Sequence, residues 1–154
     1  MRISWAEIEQ ACRYLYERIS KEFYPSQIVG IGHGGWVPSV ILAQKFDCNI
    51  FAFNVKSYAY EKRERRNLRL VSVPSMENFR NEKTLIVDDI CDSGATLKFM
   101  VEHPLLRNVP FKTAVIFKRA GSTYTPDFYW KELMTKEWVE FPWDMVLECY
   151  APER

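Results

Sequence analysis

Apolar positions along this chain alternate between a helical rhythm and short unbroken runs. Ile8, Ala11, Cys12, Leu15, Tyr16 and Ile19 recur at helical spacing behind a Ser4-x-x-Glu7 capping box. That pattern predicts an amphipathic helix over residues 5–21, broken by Pro25 and Ser26. Gln27-Ile28-Val29-Gly30-Ile31 is a short apolar run and reads as a buried strand ending in the loop Gly32-His33-Gly34-Gly35. A second helix is predicted over 37–46, with Pro38 tolerated in its first turn, and further strands over 50–55, 68–73, 84–87 and 112–117. Residues 97–101 open a helix that Pro104 ends, and shorter strand-like pieces lie at 127–129 and 137–140. Residues 56–69 follow neither rhythm. Lys62, Arg63, Arg65, Arg66 and Arg69 stand there against Glu61 and Glu64 with no apolar period, as in a mobile basic loop or a hairpin arm.

Strands alternating with helices imply an α/β chain with a mostly parallel central sheet flanked by helices on both faces. Ligands of such sheets bind at the carboxyl ends of the strands. The glycine-bearing loops 32–35 and 92–96 both fall at such ends, so they are expected on one rim. A length of 154 residues suits a single domain spanning 1–154. Composition narrows the partners. A net charge of +1 argues against a general nucleic-acid or membrane binder, and no apolar run approaches membrane length. Four cysteines without a C-x-x-C pair and only two histidines, His33 and His103, make a zinc site improbable. With no leader-like opening, a reduced cytoplasmic setting is the simplest expectation.

The densest chemistry lies in Leu85-Ile86-Val87-Asp88-Asp89-Ile90-Cys91-Asp92-Ser93-Gly94-Ala95-Thr96-Leu97. An apolar strand runs straight into two adjacent carboxylates. Adjacent strand residues point to opposite faces, so the pair is expected at the strand's open end, where it can bond sugar hydroxyls or hold a hard cation. Asp92 then starts a turn of small residues leading into a helix. Free N–H groups at a helix start, with the Ser93 and Thr96 hydroxyls, make a phosphate cradle. Helix capping alone would explain Asp92 and Ser93, but not Asp88 and Asp89 in the same turn. Cys91 reads as a small buried thiol.

This segment resembles the phosphoribosyl pyrophosphate (PRPP) motif of type I phosphoribosyltransferases: apolar residues, two acids, two mixed residues, then Asp-Ser/Thr-Gly-x-Thr. The resemblance implies the fold of that family, with a flexible loop and a small C-terminal hood. It implies that Asp88 and Asp89 bind the ribose hydroxyls, with Asp89 also near a magnesium ion. Ser93, Gly94, Ala95 and Thr96 would cradle the 5-phosphate, Ala95 standing where many relatives have Gly. Asp92 would sit beside N7 of a purine as hydrogen-bond partner and general base. The loop Gly32-His33-Gly34-Gly35-Trp36-Val37-Pro38 resembles the family's pyrophosphate loop, which implies pyrophosphate contacts from His33, Gly34 and Gly35. His33 stands where many purine relatives have Arg, so PRPP binding is expected to weaken as that imidazole loses its proton. Lys56-Ser57-Tyr58 resembles the start of the flexible loop, which implies a lid over PRPP from Ser57 and Tyr58, with Arg65 or Arg66 within reach of pyrophosphate.

The tail extends the likeness. Phe117-Lys118-Arg119-Ala120-Gly121 and Glu137-Trp138-Val139-Glu140-Phe141-Pro142-Trp143-Asp144 resemble the base pocket of bacterial xanthine-guanine phosphoribosyltransferases. By that likeness Lys118 donates to a purine 6-oxo group, Trp138 stacks on the ring and the Val139 backbone meets the edge of the base, while Trp143 belongs to the core. An aromatic face with a cation at a carbonyl suits a 6-oxopurine and not adenine, whose 6-amino group is itself a donor. The implied activity is transfer of the phosphoribosyl group of PRPP to guanine, xanthine or hypoxanthine, in a dimer or tetramer. Competing readings are a transferase for another base, a regulatory protein that binds PRPP or nucleotide without turnover, and an acid-based phosphotransfer domain. The last would scatter its acids over several strands, whereas Asp88, Asp89 and Asp92 lie within one short stretch.

Overall fold

The structure is a computed structural model; it describes residues 1–58, 67–72, 79 and 81–144. In chain order the elements are α1 (Trp5–Ile19), β1 (Gln27–Ile31), α2 (Trp36–Phe46), β2 (Asn49–Tyr58), β3 (Asn67–Ser72), β4 (Thr84–Cys91), α3 (Ala95–Val101), β5 (Phe111–Arg119) and β6 (Phe128–Leu133). The strands form one sheet in the order β3-β2-β1-β4-β5-β6. All neighbours run parallel except β2 and β3, which pair as an antiparallel hairpin. The mostly parallel sheet expected from the alternating pattern is therefore present.

Local chemistry sets the element ends. The Ser4 hydroxyl accepts from the Glu7 N–H at 3.3 Å, and the Glu7 carboxylate accepts from the Ser4 N–H at 2.9 Å, so the capping box closes in both directions. At the far end of α2, Asp47 takes the left-handed conformation at φ 50°. Both faces of the sheet are covered. Leu15 and Ile19 of α1 with Leu42 and Phe46 of α2 pack on Ile28, Leu85 and Val87 from one side. Leu97 and Met100 of α3 pack on Val29, Ile86 and Val115 from the other. Inward-facing residues thus alternate along β1 and the first half of β4, as pleating requires.

That alternation slips in the last turns of β4 and β5. Val115 faces the α3 side, yet Ile116 and Phe117 both lie in the cluster under α1. Ile86 and Cys91, an odd number of positions apart, share the α3 side. The β4–β5 and β5–β6 pairings keep one register past this point, so the neighbouring strands carry the irregularity together and the side chains beyond it exchange faces.

Three expectations need correction. The 137–140 segment is not a strand; among the described residues it contributes one isolated bridge, Arg2 to Glu140, because residues 1–3 lie alongside it. Pairing with β5 lengthens the 127–129 piece into β6. Finally, Asp88 and Asp89 do not follow the strand but lie within β4, and Asp88 is buried at 9% exposure. Of the basic stretch 56–69, the two ends belong to the β2–β3 hairpin, in line with a hairpin arm, while 59–66 lie outside the described residues. So do Cys149 and the final stretch 145–154.

Candidate active site

The carboxyl ends of β1, β4 and β5 converge on one rim. The 32–35 loop after β1 and the aspartate pair of β4 touch there. A Cβ on Gly34 would overlap the Asp89 carboxylate, so only glycine lets that loop lie against the acid. A Cβ on Gly35 would come within 2.6 Å of the Val87 carbonyl and 2.7 Å of the Ile31 carbonyl, both rigid backbone. His33 sits at the exposed outer edge of the loop, edge-on to Trp36 with ring centroids 5.1 Å apart.

The two acids are held by main-chain donors. The Asp89 N–H donates to Asp88 Oδ1 at 2.9 Å, and the Ile90 N–H to Asp89 Oδ1 at 2.7 Å. Burial, reinforced by the negative charge of Asp89, pushes the Asp88 carboxyl well above its ordinary range. Burial likewise pushes Asp89 up to about 6, against the pull of the Ile90 N–H, with Asp144 adding a further upward push. The sequence pattern placed the pair at the strand's open end because burying both acids in the core would be costly. The cost is met by this upward shift, which lets the pair sit deeper than expected.

Asp92 to Thr96 form a tight turn into α3. Gly94 adopts φ 86°, and a Cβ there would meet the Tyr124 nitrogen at 2.6 Å. The turn is braced from behind: the Ser93 carbonyl accepts from the Thr123 N–H at 3.0 Å and from its hydroxyl at 2.7 Å. The Ala95 N–H donates to Ser93 Oγ at 3.3 Å. Neither Asp92 nor Ser93 is the helix cap; that position is Gly94, with no capping side chain. Behind the turn, Cys91 is buried beside the Ser122 hydroxyl, and burial raises its thiol above the ordinary range.

A cavity of about 610 Å³ opens beside this turn, bounded by Asp89, Asp92 and Ser93 on one side and Trp138, Val139 and Phe141 on the other. A smaller hollow of about 260 Å³ follows residues 88–97 themselves. Trp138 is 79% exposed and hangs over the larger cavity, while Val139 is buried beneath it. Trp143 packs behind the wall, stacked on Phe141 at 4.7 Å.

The structure thus gathers Gly34, Asp89, Asp92, Ser93, Trp138 and Val139 around one space, with Asp88, Gly94, Ala95 and Thr96 lining the adjoining hollow. It does not bring Lys118 there. The slip in β5 turns Lys118 to the other face, where it is ion-paired with Glu132 directly across on β6, and that carboxylate holds its ammonium above the ordinary range. Arg119 takes the cavity side and pairs with Asp92. Sequence reasoning also gave no role to Asp144, which lines the cavity, though both residues stood in the quoted motifs. Ser57 and Tyr58 lie at the end of β2; their side chains, like residues 59–66 with Arg65 and Arg66, fall outside what is described.

Comparison with known proteins agrees with this geometry. Residues 4–148 match the phosphoribosyl transferase domain. The chain is 33% identical to a xanthine-guanine phosphoribosyltransferase of Idiomarina loihiensis, over 97% of this chain and 90% of that protein. It is 30% identical to the enzyme of the same name from Cereibacter sphaeroides, over 99% and 91%. Its fold superposes on the crystal structure of a purine phosphoribosyltransferase from Pyrococcus horikoshii with a TM-score of 0.79 at 27% identity, covering 94% of this chain and 93% of that one. From the match over nearly its whole length, the chain belongs to the phosphoribosyltransferase family.

Proposed function

We propose that this protein transfers the 5-phosphoribosyl group of PRPP to a 6-oxopurine (guanine, xanthine or hypoxanthine) and releases pyrophosphate, in purine salvage in the cytoplasm. The observation that carries the reading is the 610 Å³ cavity, which sets the Asp92–Ser93 turn directly against a wall of Trp138, Val139 and Phe141. A phosphorylated sugar held at one end leaves a flat heterocycle at the other.

The reaction exchanges two bonds at one carbon. The C1–oxygen bond to pyrophosphate breaks, the C1–N9 bond to the purine forms, and the purine loses a proton. In this reading Asp88 and Asp89 hold the ribose hydroxyls, and the 93–96 turn cradles the 5-phosphate with main-chain N–H groups at the start of α3. Asp92 bonds N7 and takes up the proton. His33, Gly34 and Gly35 line the pyrophosphate side, with Ser57 and Tyr58 closing over it. Trp138 stacks on the ring, the Val139 main chain meets its edge, and Lys118 exchanges Glu132 for the 6-oxo group.

The acids also suit a magnesium ion. Two adjacent carboxylates kept above their ordinary range by burial, with the charge of Asp89 adding to the push on Asp88 and that of Asp144 to the push on Asp89, are an environment that a hard divalent cation relieves. Among the described residues no group of three or more His, Cys, Asp or Glu gathers for a metal. The ion would therefore be held by Asp89 together with substrate oxygens, where it neutralises charge on the departing pyrophosphate. The reading further includes assembly into a dimer or tetramer.

The test mixes the protein with PRPP, Mg2+ and guanine, xanthine, hypoxanthine or adenine in turn, following nucleotide and pyrophosphate together. The expected result is turnover of one or more 6-oxopurines with one pyrophosphate per nucleotide and none with adenine. PRPP binding without turnover of any base would replace this reading with a regulatory one.

A further inference from the structure

Arg119 lines the cavity and has no part in the reaction above. Its guanidinium donates in three directions: Nε to Asp92 Oδ1, one terminal nitrogen to the Thr135 carbonyl, and the other to the Glu137 carbonyl at 3.3 Å. The Arg119 side chain is 13% exposed, whereas that of Asp92 is 65% exposed, so the anchored partner constrains the free one. Asp92 would otherwise be a short acid on a glycine-rich turn with several orientations open to it. Among the described residues no donor meets its Oδ2, so one carboxylate oxygen faces Arg119 and the other is left for a ligand. The two carbonyls belong to the segment that carries Trp138. A planar fork with separate donors on Nε and both terminal nitrogens can span three acceptors in this way; an ammonium gathers its three donors on one atom and lacks that spread.

We propose that Arg119 is a positioning residue for the transfer, holding the Asp92 carboxylate in the orientation that meets the purine and tying it to the segment that bears Trp138. The inference rests on the purine-transfer reading. An exposed ion pair kept only for stability would add little. Here the pair joins the acid of the phosphate turn to the wall that receives the base, so the two halves of the base site keep one spacing.

Steady-state kinetics with PRPP, Mg2+ and guanine on wild type, Arg119→Gln, Arg119→Lys, Asp92→Asn and the Arg119→Gln/Asp92→Asn double variant test this. Arg119→Gln is expected to lower kcat on the order of 10²-fold, the scale of a small misplacement of a reacting group, while KM for PRPP stays within about twofold. Arg119→Lys restores part of kcat through its charge but leaves KM for guanine raised, because it cannot hold both carbonyls. In the Asp92→Asn background, Arg119→Gln costs little further in kcat, since the residue acts through that carboxylate. Arg119→Gln with kcat near wild type overturns the proposal. So does an Arg119→Gln cost in the Asp92→Asn background as large as its cost in wild type, the additivity of two independent residues. If wild type itself turns over no base, the transfer reading has failed first, and that outcome is distinct from an active wild type that tolerates loss of Arg119.

Discussion

Single residues on the rim carry opposing demands of stability and binding. Asp89 is the clearest case. Its carboxyl is raised to about 6 from an ordinary 3.8, so between those values the folded protein binds more protons than the unfolded chain. Stability contributed at this position is therefore full at low pH and is lost as pH rises toward 6. Without added metal, Asp89→Asn is expected to melt above wild type. The gap should be small near pH 4, grow to pH 6 and level off beyond, on the order of 1–3 kcal/mol. Thermal melts in chelator across that range check it; a gap that shrinks with rising pH would contradict it. The same substitution should weaken PRPP binding. At Gly34 the demand is steric. Gly34→Ala forces a methyl into the Asp89 carboxylate, so it is expected to raise KM for PRPP at least about tenfold, the scale on which a displaced binding group is felt. Lys118→Met is expected to cut kcat/KM for guanine by tenfold or more if the lysine leaves Glu132 to meet the 6-oxo group. An unchanged value would assign that contact to another donor.

Elements explain which side chains the sequence could and could not place. The helices were legible because their caps are local: Ser4 and Glu7 close a box within one turn. The buried strands were legible from their apolar runs. What escaped was the break in alternation near the ends of β4 and β5, which leaves no trace in composition. Strict alternation from Ala114 and Ile116 would point Lys118 at the cavity; the break points Arg119 there instead. The 137–140 segment misled for a similar reason, since its partner is the distant stretch at residues 1–3. The β5–β6 junction offers a test at this scale. Asp127 accepts from the Thr113 N–H and hydroxyl, each at 2.8 Å, and pairs with Lys112 at 2.8 Å. These partners outweigh burial and hold its carboxyl below the ordinary range. The stability it contributes is present above pH 4 and disappears as pH falls through its lowered folded value. Asp127→Ala is expected to cost about 1–3 kcal/mol at pH 7, with the difference from wild type fading in acid. Denaturant titrations at both pH values read this directly.

For the whole molecule, topology does what motifs cannot. The order β3-β2-β1-β4-β5-β6 puts β1, β4 and β5 side by side, so loops separated by some sixty residues in the chain meet at one rim. The motif at 85–97 could be read in isolation because its chemistry is contiguous. The base cavity could not, because its walls come from the ends of β4 and β5 and from the tail. In the proposed reading a chain of net charge +1 binds phosphate through the main-chain N–H groups of one turn and needs no basic surface.

The central claim is that the cavity and its adjoining hollow together hold a purine nucleotide with its phosphate on the 93–96 turn and its base against Trp138. A crystal structure with guanosine monophosphate measures this most directly. The account predicts the phosphate within hydrogen-bonding reach of the Ser93–Thr96 main chain, the ribose hydroxyls on Asp88 and Asp89, the ring under Trp138 and N7 beside Asp92. A nucleotide bound away from that turn, or with its base turned from Trp138, would contradict it.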